Sequence, residues 1–191
     1  DGTAVVESDM TDIGTGTYAI LGQVAGEMLG LMPSDIDVRL GDTDFPAGSG
    51  SGGSWGAASS GSAVFVACED LRAQLAVLIG VAPDALALKD GFIRWDSGEK
   101  ALSDVLAGTR LVSVGHYEPG ASTEDMAISS YGAFFAEVAV NHWTGETRVR
   151  RMTGAFGIGR VLNARTARSQ CLGGMTWCIG NALTEALMFD P

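Results

Sequence analysis

The stretch Ser49-Gly50-Ser51-Gly52-Gly53-Ser54-Trp55-Gly56-Ala57-Ala58-Ser59-Ser60 holds five serines, four glycines and no charged residue. An apolar run, residues 63–68, follows it and continues as a predicted helix to about Ile79. Glycine lets backbone N–H groups approach a ligand closely. A helix N-terminus adds unpaired N–H groups and the positive end of the helix dipole. The stretch therefore predicts an anion-binding loop at the start of a helix.

The same composition is also typical of a flexible linker. Trp55 argues against a linker, because a large ring in the middle of a loop indicates a packed loop. Two more helices are predicted to begin at small or polar residues, one from Thr17 to about Leu29 and one from about Thr166 to Leu187. Three helix N-termini could thus point at one anionic ligand.

Composition limits the classes of partner. Of 191 residues, 46% are hydrophobic and 18% are charged, which indicates a folded domain. The net charge of −11 argues against nucleic acid or an anionic membrane surface as a binding partner, because both attract a positively charged protein face. A phosphate ligand stays compatible with that charge, because the glycine loops are expected to carry no carboxylate and to bind through backbone groups. No signal peptide and no apolar run long enough for a membrane span are visible, and the compartment, cytoplasmic or periplasmic, stays open.

The predicted elements indicate an α+β fold, in which mixed strands pack with three long amphipathic helices in two lobes. A hairpin with Gly145 in its turn is the strongest strand signal. The loop from Tyr117 to Ser130 is rich in Gly, Pro, Ser and Asp and is the candidate boundary between lobes. Strands are predicted at Ala4–Val6, Ile36–Leu40, in two pieces around Asp90-Gly91, at Arg110–Val114, at Gly132–Asn141 and at Thr147–Phe156. The last helix is expected to bury one face that includes Leu172, Met175 and Ile179.

No catalytic or metal-binding set is predicted. His116 and His142 each lie near a turn and are expected on the surface. The three cysteines form no C-x-x-C pair, so zinc and iron–sulfur clusters have no ligand set in this chain. No G-x-S-x-G nucleophile motif is present.

One motif keeps a nicotinamide alternative open. The segment Gly14–Ala19 fits the G-x-G-x-x-[G/A] pattern of dinucleotide-binding folds, and Asp42 could contact a ribose. In those folds the first glycine directly follows an apolar strand, whereas Glu7–Asp12 intervenes in this chain. A non-catalytic interaction module is a third alternative.

Several blocks, in chain order, resemble the large subunit of the xanthine dehydrogenase family of molybdenum hydroxylases. The resemblance is strongest to bacterial aldehyde oxidoreductases that carry molybdopterin cytosine dinucleotide. The blocks are Thr11–Thr17, Gln23–Gly30, Val38–Thr43, Ser51–Ala57, Tyr131–Val138, Thr144–Glu146, Gly159–Asn163 and Gln170–Gly174.

The resemblance implies that residues 1–191 are part of a molybdopterin-binding domain, in the C-terminal portion of such a subunit. The intact enzyme would oxidise aldehydes or N-heterocycles with water as the oxygen source and pass electrons to iron–sulfur and FAD subunits or domains. The isolated chain is expected to be inactive and to hold no cofactor. The cofactor-binding residues that the resemblance implies are Gly14, Thr15, Gly16, Thr17, Gly52, Gly53, Ser54, Trp55 and Gln170.

The chain also departs from the family pattern. Thr15 stands where the family usually has Gln, a change that some aldehyde oxidoreductases share. Asn163-Ala164 replaces the family's Asn-Pro. The chain begins at Asp1 without Met and stops at Pro191 straight after a predicted helix, so we expect a piece of a larger protein. The family's catalytic glutamate, in a Gly-x-Gly-Glu segment, would lie beyond Pro191, and the earlier cofactor segments would lie before Asp1.

Overall fold

The computed structural model describes residues 2–120, 123, 125–127 and 129–188. The chain divides into two compact units, Asp1–Pro119 and Gly120–Pro191. Residues 121, 122, 124 and 128 of the predicted loop from Tyr117 to Ser130 lie outside the described residues.

A strand–helix–strand unit forms the start of the first unit. Strand β1 (Ala4–Ser8) pairs in parallel with β2 (Ile36–Leu40), with Ala4 opposite Ile36 and Ser8 opposite Leu40. A parallel pair needs a crossover connection, which helix α1 (Thr17–Leu29) provides. Leu21 and Ala25 of α1 are fully buried, and α1 packs against the long helix α2 (Gly56–Ile79).

A small antiparallel sheet closes the core of this unit. Its strands are β3 (Ala87–Lys89), β4 (Phe92–Trp95) and β5 (Gly98–Ala101), in the order β3-β4-β5, and the short helix α3 (Leu102–Leu106) follows. The buried cluster joins α1, α2 and this sheet through Ala25, Leu29, Leu31, Cys68, Leu75, Ala76, Leu86, Ile93 and Leu102.

Arg72 fixes the two long helices of the first unit relative to each other. Its guanidinium donates to the Met28 carbonyl near the end of α1 at 3.1 Å and to the Leu86 carbonyl at 3.0 Å. Hydrogen bonds from a charged group are stronger than neutral ones. Arg72 thereby joins the C-terminal half of α2 to the end of α1 and to the segment that precedes β3.

A hairpin and one helix form the second unit. Strands β6 (Tyr131–Val140) and β7 (Thr147–Gly157) are antiparallel, with Tyr131 opposite Gly157 and a bulge between Glu137 and Val138. Gly145 has a φ of 72° in the turn, as the predicted hairpin required. Helix α4 (Ala164–Leu183) packs against β7.

The α+β class and the three long helices are confirmed, but other expectations are wrong. Residues 110–114 form no regular strand, and Gly115, directly after them, packs against the Ala63 carbonyl of α2. The strand Gly98–Ala101 was not predicted. Helix α4 buries no residue, and Leu172 on its predicted core face is 41% exposed. A two-stranded sheet offers too little surface to cover such a helix. Among the described residues, no helix combines the length and the apolar character needed to cross a membrane.

Candidate functional site

Two glycine loops of the first unit touch each other. We call residues 11–17 the first glycine loop and residues 48–55 the second glycine loop. The Ser51 hydroxyl of the second loop donates to the Thr11 carbonyl of the first. The Gly48 amide donates to the carboxylate of Asp9, which precedes the first loop. The loops that open α1 and α2 are therefore neighbours, and a ligand lying on one would be within reach of the other.

The second glycine loop is folded around its tryptophan. The Trp55 indole N–H donates to the Ser49 carbonyl at 3.0 Å, and the Trp55 amide donates to the Gly52 carbonyl at 3.3 Å. A Cβ placed on Gly53 would lie 2.3 Å from the Trp55 ring, so glycine is required where the ring covers the backbone. The Ser49 and Ser60 hydroxyls are 3.1 Å apart and tie the loop to α2. The flexible-linker interpretation is therefore wrong.

The middle of the second glycine loop, residues 50–54, leaves its backbone N–H groups without an acceptor. Within the part of the chain that the structure describes, the amides of residues 50–54 have no hydrogen-bond acceptor, and no side chain caps the start of α2. Gly50, Gly53 and Ser54 have φ values of 70°, 50° and 60°. A positive φ at a residue with a side chain such as Ser54 is uncommon and strained, and such strain is often found at functional sites. The backbone thus forms an open, pre-shaped set of N–H donors.

The first glycine loop differs, because its donors already have an acceptor in the same loop. The Asp12 Oδ1 atom accepts from the Gly14 amide at 2.7 Å and from the Thr15 amide at 3.0 Å, and Oδ2 accepts from the Tyr18 amide at 3.4 Å. The expectation that the glycine loops carry no carboxylate is therefore wrong for the first loop. Gly16, with a φ of 89°, occupies the N-cap position of α1, which begins at Thr17.

These hydrogen bonds determine the ionisation of Asp12. Partial burial acts to raise the pKa of the Asp12 carboxyl, but the amides of Gly14, Tyr18, Gly16 and Thr15 outweigh burial and hold the pKa below its usual range. The carboxylate is therefore negative at neutral pH, at the positive end of the α1 dipole. Next to it, the hydroxyls of Thr15 and Thr17 lie 3.4 Å apart, and Thr17 is buried.

The third helix start is also capped. Asn163 Oδ1 accepts from the Arg165 and Thr166 amides, each at 3.0 Å, at the start of α4. Gln170, the cofactor-binding residue predicted on this helix, lies in α4 of the second unit and is exposed. Sequence reasoning missed the cap at Asn163, although Asn directly before a helix is the usual signal for such a cap. It also missed the role of Asp12, which accepts from loop amides two and three residues further along the chain.

A cavity of about 330 Å³ adjoins the second glycine loop within the first unit. Residues of β1, α1, α2 and the segment 113–117 line it, and Ser49 and Ser60 lie at its border with the loop. Burial raises the pKa of the Cys68 thiol in its wall to about 11, so this cysteine stays protonated and unreactive at neutral pH. His116, also in the wall, is exposed as predicted and pairs with Glu118 at 3.1 Å.

The donors on these loops suit a phosphorylated ligand better than a bare metal ion. Within the described ranges, no group of three or more His, Cys, Asp or Glu side chains is placed to hold a metal. The loops instead offer backbone N–H groups, hydroxyls and positions at which a Cβ would intrude. Phosphate groups are commonly bound by such donors. The residues present therefore fit the phosphate-bearing part of a cofactor.

Comparison with known proteins agrees with this chemistry. Residues 1–191 match the molybdopterin cofactor-binding domain family. The chain is 45% identical over 190 residues to the aldehyde oxidoreductase molybdenum-binding subunit PaoC of Escherichia coli strain K12, covering 100% of this chain and 26% of that protein. It is 34% identical over 203 residues to the probable hypoxanthine oxidase XdhD of the same strain, covering 100% of this chain and 21% of that protein.

Solved structures share the fold. The crystal structure of quinoline 2-oxidoreductase from Pseudomonas putida 86 matches with a TM-score of 0.81 at 23% identity, over 97% of this chain and 26% of that chain. This chain spans about a quarter of the length of the curated relatives it matches. Taken together, the match along the whole chain and these identities show that it belongs to the molybdopterin cofactor-binding domain family of the molybdenum hydroxylases related to xanthine dehydrogenase and aldehyde oxidoreductase.

Proposed function

We propose that the second glycine loop of this chain holds the diphosphate of a molybdopterin dinucleotide in an aldehyde-oxidising molybdenum hydroxylase. The observation that carries the proposal is the open set of amides at residues 50–54, at the uncapped start of α2. Trp55 shapes this loop through its bond to Ser49, so the donors are oriented before a ligand arrives. Donors that are already oriented bind with a smaller entropy cost.

Each part of the site has a proposed task. The amides of the second loop donate to the diphosphate oxygens, and the α2 dipole adds a favourable field without a basic side chain. Thr15 and Thr17 offer hydroxyls from the first loop. When bound, the cofactor supplies the redox chemistry, the hydroxylation of a carbon centre with oxygen from water. The residues proposed to hold it are those inferred from the sequence: Gly14, Thr15, Gly16, Thr17, Gly52, Gly53, Ser54, Trp55 and Gln170.

The similarity to named relatives supports the finer assignments. Identity of 45% to an aldehyde oxidoreductase molybdenum-binding subunit favours an aldehyde substrate. The cytosine form of the dinucleotide is proposed from the resemblance of the sequence blocks alone. Identity of 34% to a probable hypoxanthine oxidase keeps N-heterocycles as the second substrate class. The nicotinamide alternative is disfavoured, because β1 ends at Ser8 and does not lead directly into Gly14, whereas the first glycine of a dinucleotide-binding fold directly follows its strand.

Elemental and nucleotide analysis of the intact, natively loaded protein tests the proposal. We expect about one molybdenum atom and one cytidine monophosphate per chain after acid hydrolysis. Guanosine monophosphate instead of cytidine monophosphate would contradict the cytosine form alone. Nicotinamide would support the nicotinamide alternative, and a protein with neither metal nor nucleotide would support a non-catalytic module.

The partners belong to the same proposal. Several large side chains of the second unit are exposed to solvent: Tyr131 is 83%, Phe135 70% and Trp177 82% exposed. Exposed apolar area of this kind marks an interaction surface. We assign it to the rest of a larger subunit, with iron–sulfur and FAD subunits or domains as electron acceptors. One relative is named as the gamma subunit of a dehydrogenase complex.

The isolated chain is expected to turn over no aldehyde, because within the described residues no group of three or more His, Cys, Asp or Glu side chains is placed to hold a metal. Aldehyde-dependent dye reduction by the purified chain with added cofactor would contradict this expectation. The intact protein, assayed with the same dye, serves as the positive control.

A further inference from the structure

Strand β1 is paired along one edge only. Its residues Ala4–Ser8 pair with β2, and no other described strand pairs with them. The cavity of about 330 Å³ described above is lined by all five residues of β1 and by none of β2. The cavity therefore lies at the open side of β1, where unpaired N–H and C=O groups can bond a further strand.

The segment 110–116 has the form of a strand without a partner. Its residues alternate between exposed and half-buried, with Val112 60% and Val114 72% exposed. It is held on α2, since Gln74 Nε2 donates to the Val112 carbonyl at 3.1 Å and Gly115 packs against the helix. Within the described part of the chain, no amide of this segment has a backbone acceptor, and four of its residues line the same cavity. Both β1 and this segment thus border one space with backbone groups that no described strand uses.

Helices α1 and α2 form an apolar floor under this space. The floor side chains are small or aliphatic: Leu21, Ala25, Leu29, Ala63, Val64, Ala67, Cys68 and Leu71. Among the described lining residues there is no Lys or Arg. Such a floor favours polypeptide that turns every second side chain towards it, which is the period of a strand. The space therefore fits a strand better than it fits a small anionic ligand.

We propose that the residues directly preceding Asp1 in the intact protein form a strand that occupies this space and pairs with β1 and with the segment 110–116. The turn before β1 indicates this occupant. Asp-Gly is a preferred sequence for a two-residue hairpin turn, and Gly2 has the positive φ, 77°, that the second turn residue requires. Because β2 covers the other edge of β1, a hairpin partner has only the open edge. The proposal holds whatever cofactor the glycine loops bind.

A two-residue turn also fixes the register of the hairpin. With Asp1 and Gly2 at the centre of the turn, the first preceding residue lies opposite Thr3 and the third lies opposite Val5. Val5 is 46% exposed, so a substitution there spares the apolar floor. Opposed residues of an antiparallel pair have Cα atoms about 4.5–5.5 Å apart, which a disulfide can bridge.

Engineered disulfides in the intact protein test both the occupant and the register. Val5→Cys is combined with a cysteine at the third residue before Asp1, and the matched control places that cysteine at the fourth, whose side chain points to the opposite face of the sheet. After mild oxidation, mass spectrometry of the digested protein measures the cross-linked fraction. We expect at least about tenfold more cross-link for the third position than for the fourth. Equal cross-linking at both positions, or none at either in a protein with a native circular dichroism spectrum, would overturn the proposal.

Hydrogen exchange of the unmodified intact protein is a second measurement that needs no substitution. Alternate amides of residues 111–116 should exchange at least about a hundredfold more slowly than in an unstructured peptide, because the added strand bonds them. Fast exchange throughout this segment would overturn the proposal. Protection of the segment without a cross-link to the preceding residues would assign the open edge to another part of the protein, to another subunit or to a second copy, and would overturn it as well.

Discussion

The two glycine loops share a composition and a place before a helix, yet their backbone amides are used in opposite ways. In the first loop, Asp12 accepts from Gly14 and Thr15 at 2.7 and 3.0 Å. In the second, residues 50–54 keep their amides open while Trp55 bonds to Ser49. Glycines in a sequence therefore indicate where the backbone can adopt unusual conformations. Whether the amides at those positions are available to a ligand depends on whether a nearby carboxylate already accepts from them.

The largest expected effect comes from Gly53→Val in the intact protein. A branched side chain would collide with the Trp55 ring, which lies 2.3 Å from a Cβ at this position, and would be strained at a φ of 50° by roughly 1–2 kcal/mol. Displaced amides would each lose about 1.5–3 kcal/mol of bonding to a charged phosphate. We expect cofactor content to fall on the order of a hundredfold or more, with an unchanged circular dichroism spectrum.

Gly41→Val is the matched control for that change. Gly41 has a φ of 83° and open space around its Cβ position. A valine at this position would therefore introduce the same kind of backbone strain as in G53V but would collide with no neighbouring atom. Its molybdenum and cytidine content should stay at the wild-type level. A fully loaded G53V protein, or equal loss in both variants, would contradict the assigned role of the second loop.

Removal of the tryptophan should have the next largest effect. Trp55→Ala deletes the ring that covers Gly53 and the N–H that bonds to Ser49 at 3.0 Å. Loss of that bond and of the loop shape should lower cofactor affinity about tenfold, because a hydrogen bond contributes about 0.5–1.5 kcal/mol and 1.4 kcal/mol is a factor of ten. Trp55→Phe keeps a ring and should lose less. Equal retention in W55A and wild type, measured as nucleotide per chain, would show that the ring does not shape the site.

Asp12 should matter for stability in a pH-dependent way. Loss of its capping bonds in Asp12→Ala should lower the free energy of unfolding by about 0.5–2 kcal/mol at pH 7. Because the folded pKa of Asp12 lies below its usual value of 3.8, its contribution is complete above that value and is lost as the pH falls through the folded pKa. Urea unfolding at a series of pH values should therefore show the difference shrinking below about pH 3.8. A constant difference between pH 7 and pH 3 would contradict the charged cap.

The smallest effect is expected for the bond that joins the two loops. Ser51→Ala removes the hydroxyl that donates to the Thr11 carbonyl, an exposed hydrogen bond worth about 0.5–1 kcal/mol. Cofactor affinity should fall by no more than about fivefold. Ser59→Ala, a serine of α2 outside the second loop, is the control. A loss as large as that of G53V would mean that contact between the loops, and not the open amides, governs retention.

Local signals in the sequence predicted much of the fold. The period of 3.6 located α1 and α2, and alternation around Gly145 located the hairpin β6–β7 almost to the residue. Residues 110–114 also alternate between apolar and polar side chains, but they pair with no strand. Whether a segment pairs depends on its neighbours in the fold and cannot be predicted from that segment alone. The burial expected for α4 failed for a related reason, because burial depends on what covers a helix and not on its pattern.

The candidate site was predictable in part. Both glycine loops were recognised, and the caps of Asp12 and Asn163 follow a local pattern of two to three residues that was available in the sequence. The contact between Thr11 and Ser51 joins residues 40 apart and depends on the packing of α1 against α2. The strain at Ser54 also cannot be read from residue type, since serine ordinarily avoids a positive φ.

The most direct test of the central claim is a crystal structure of the intact protein with its cofactor bound. We predict diphosphate oxygens within about 3 Å of amides in residues 50–54, and the Asp12 carboxylate still bonded to the Gly14 and Thr15 amides. A structure in which Asp12 has turned away and the diphosphate lies on the Gly14 and Thr15 amides would contradict the account.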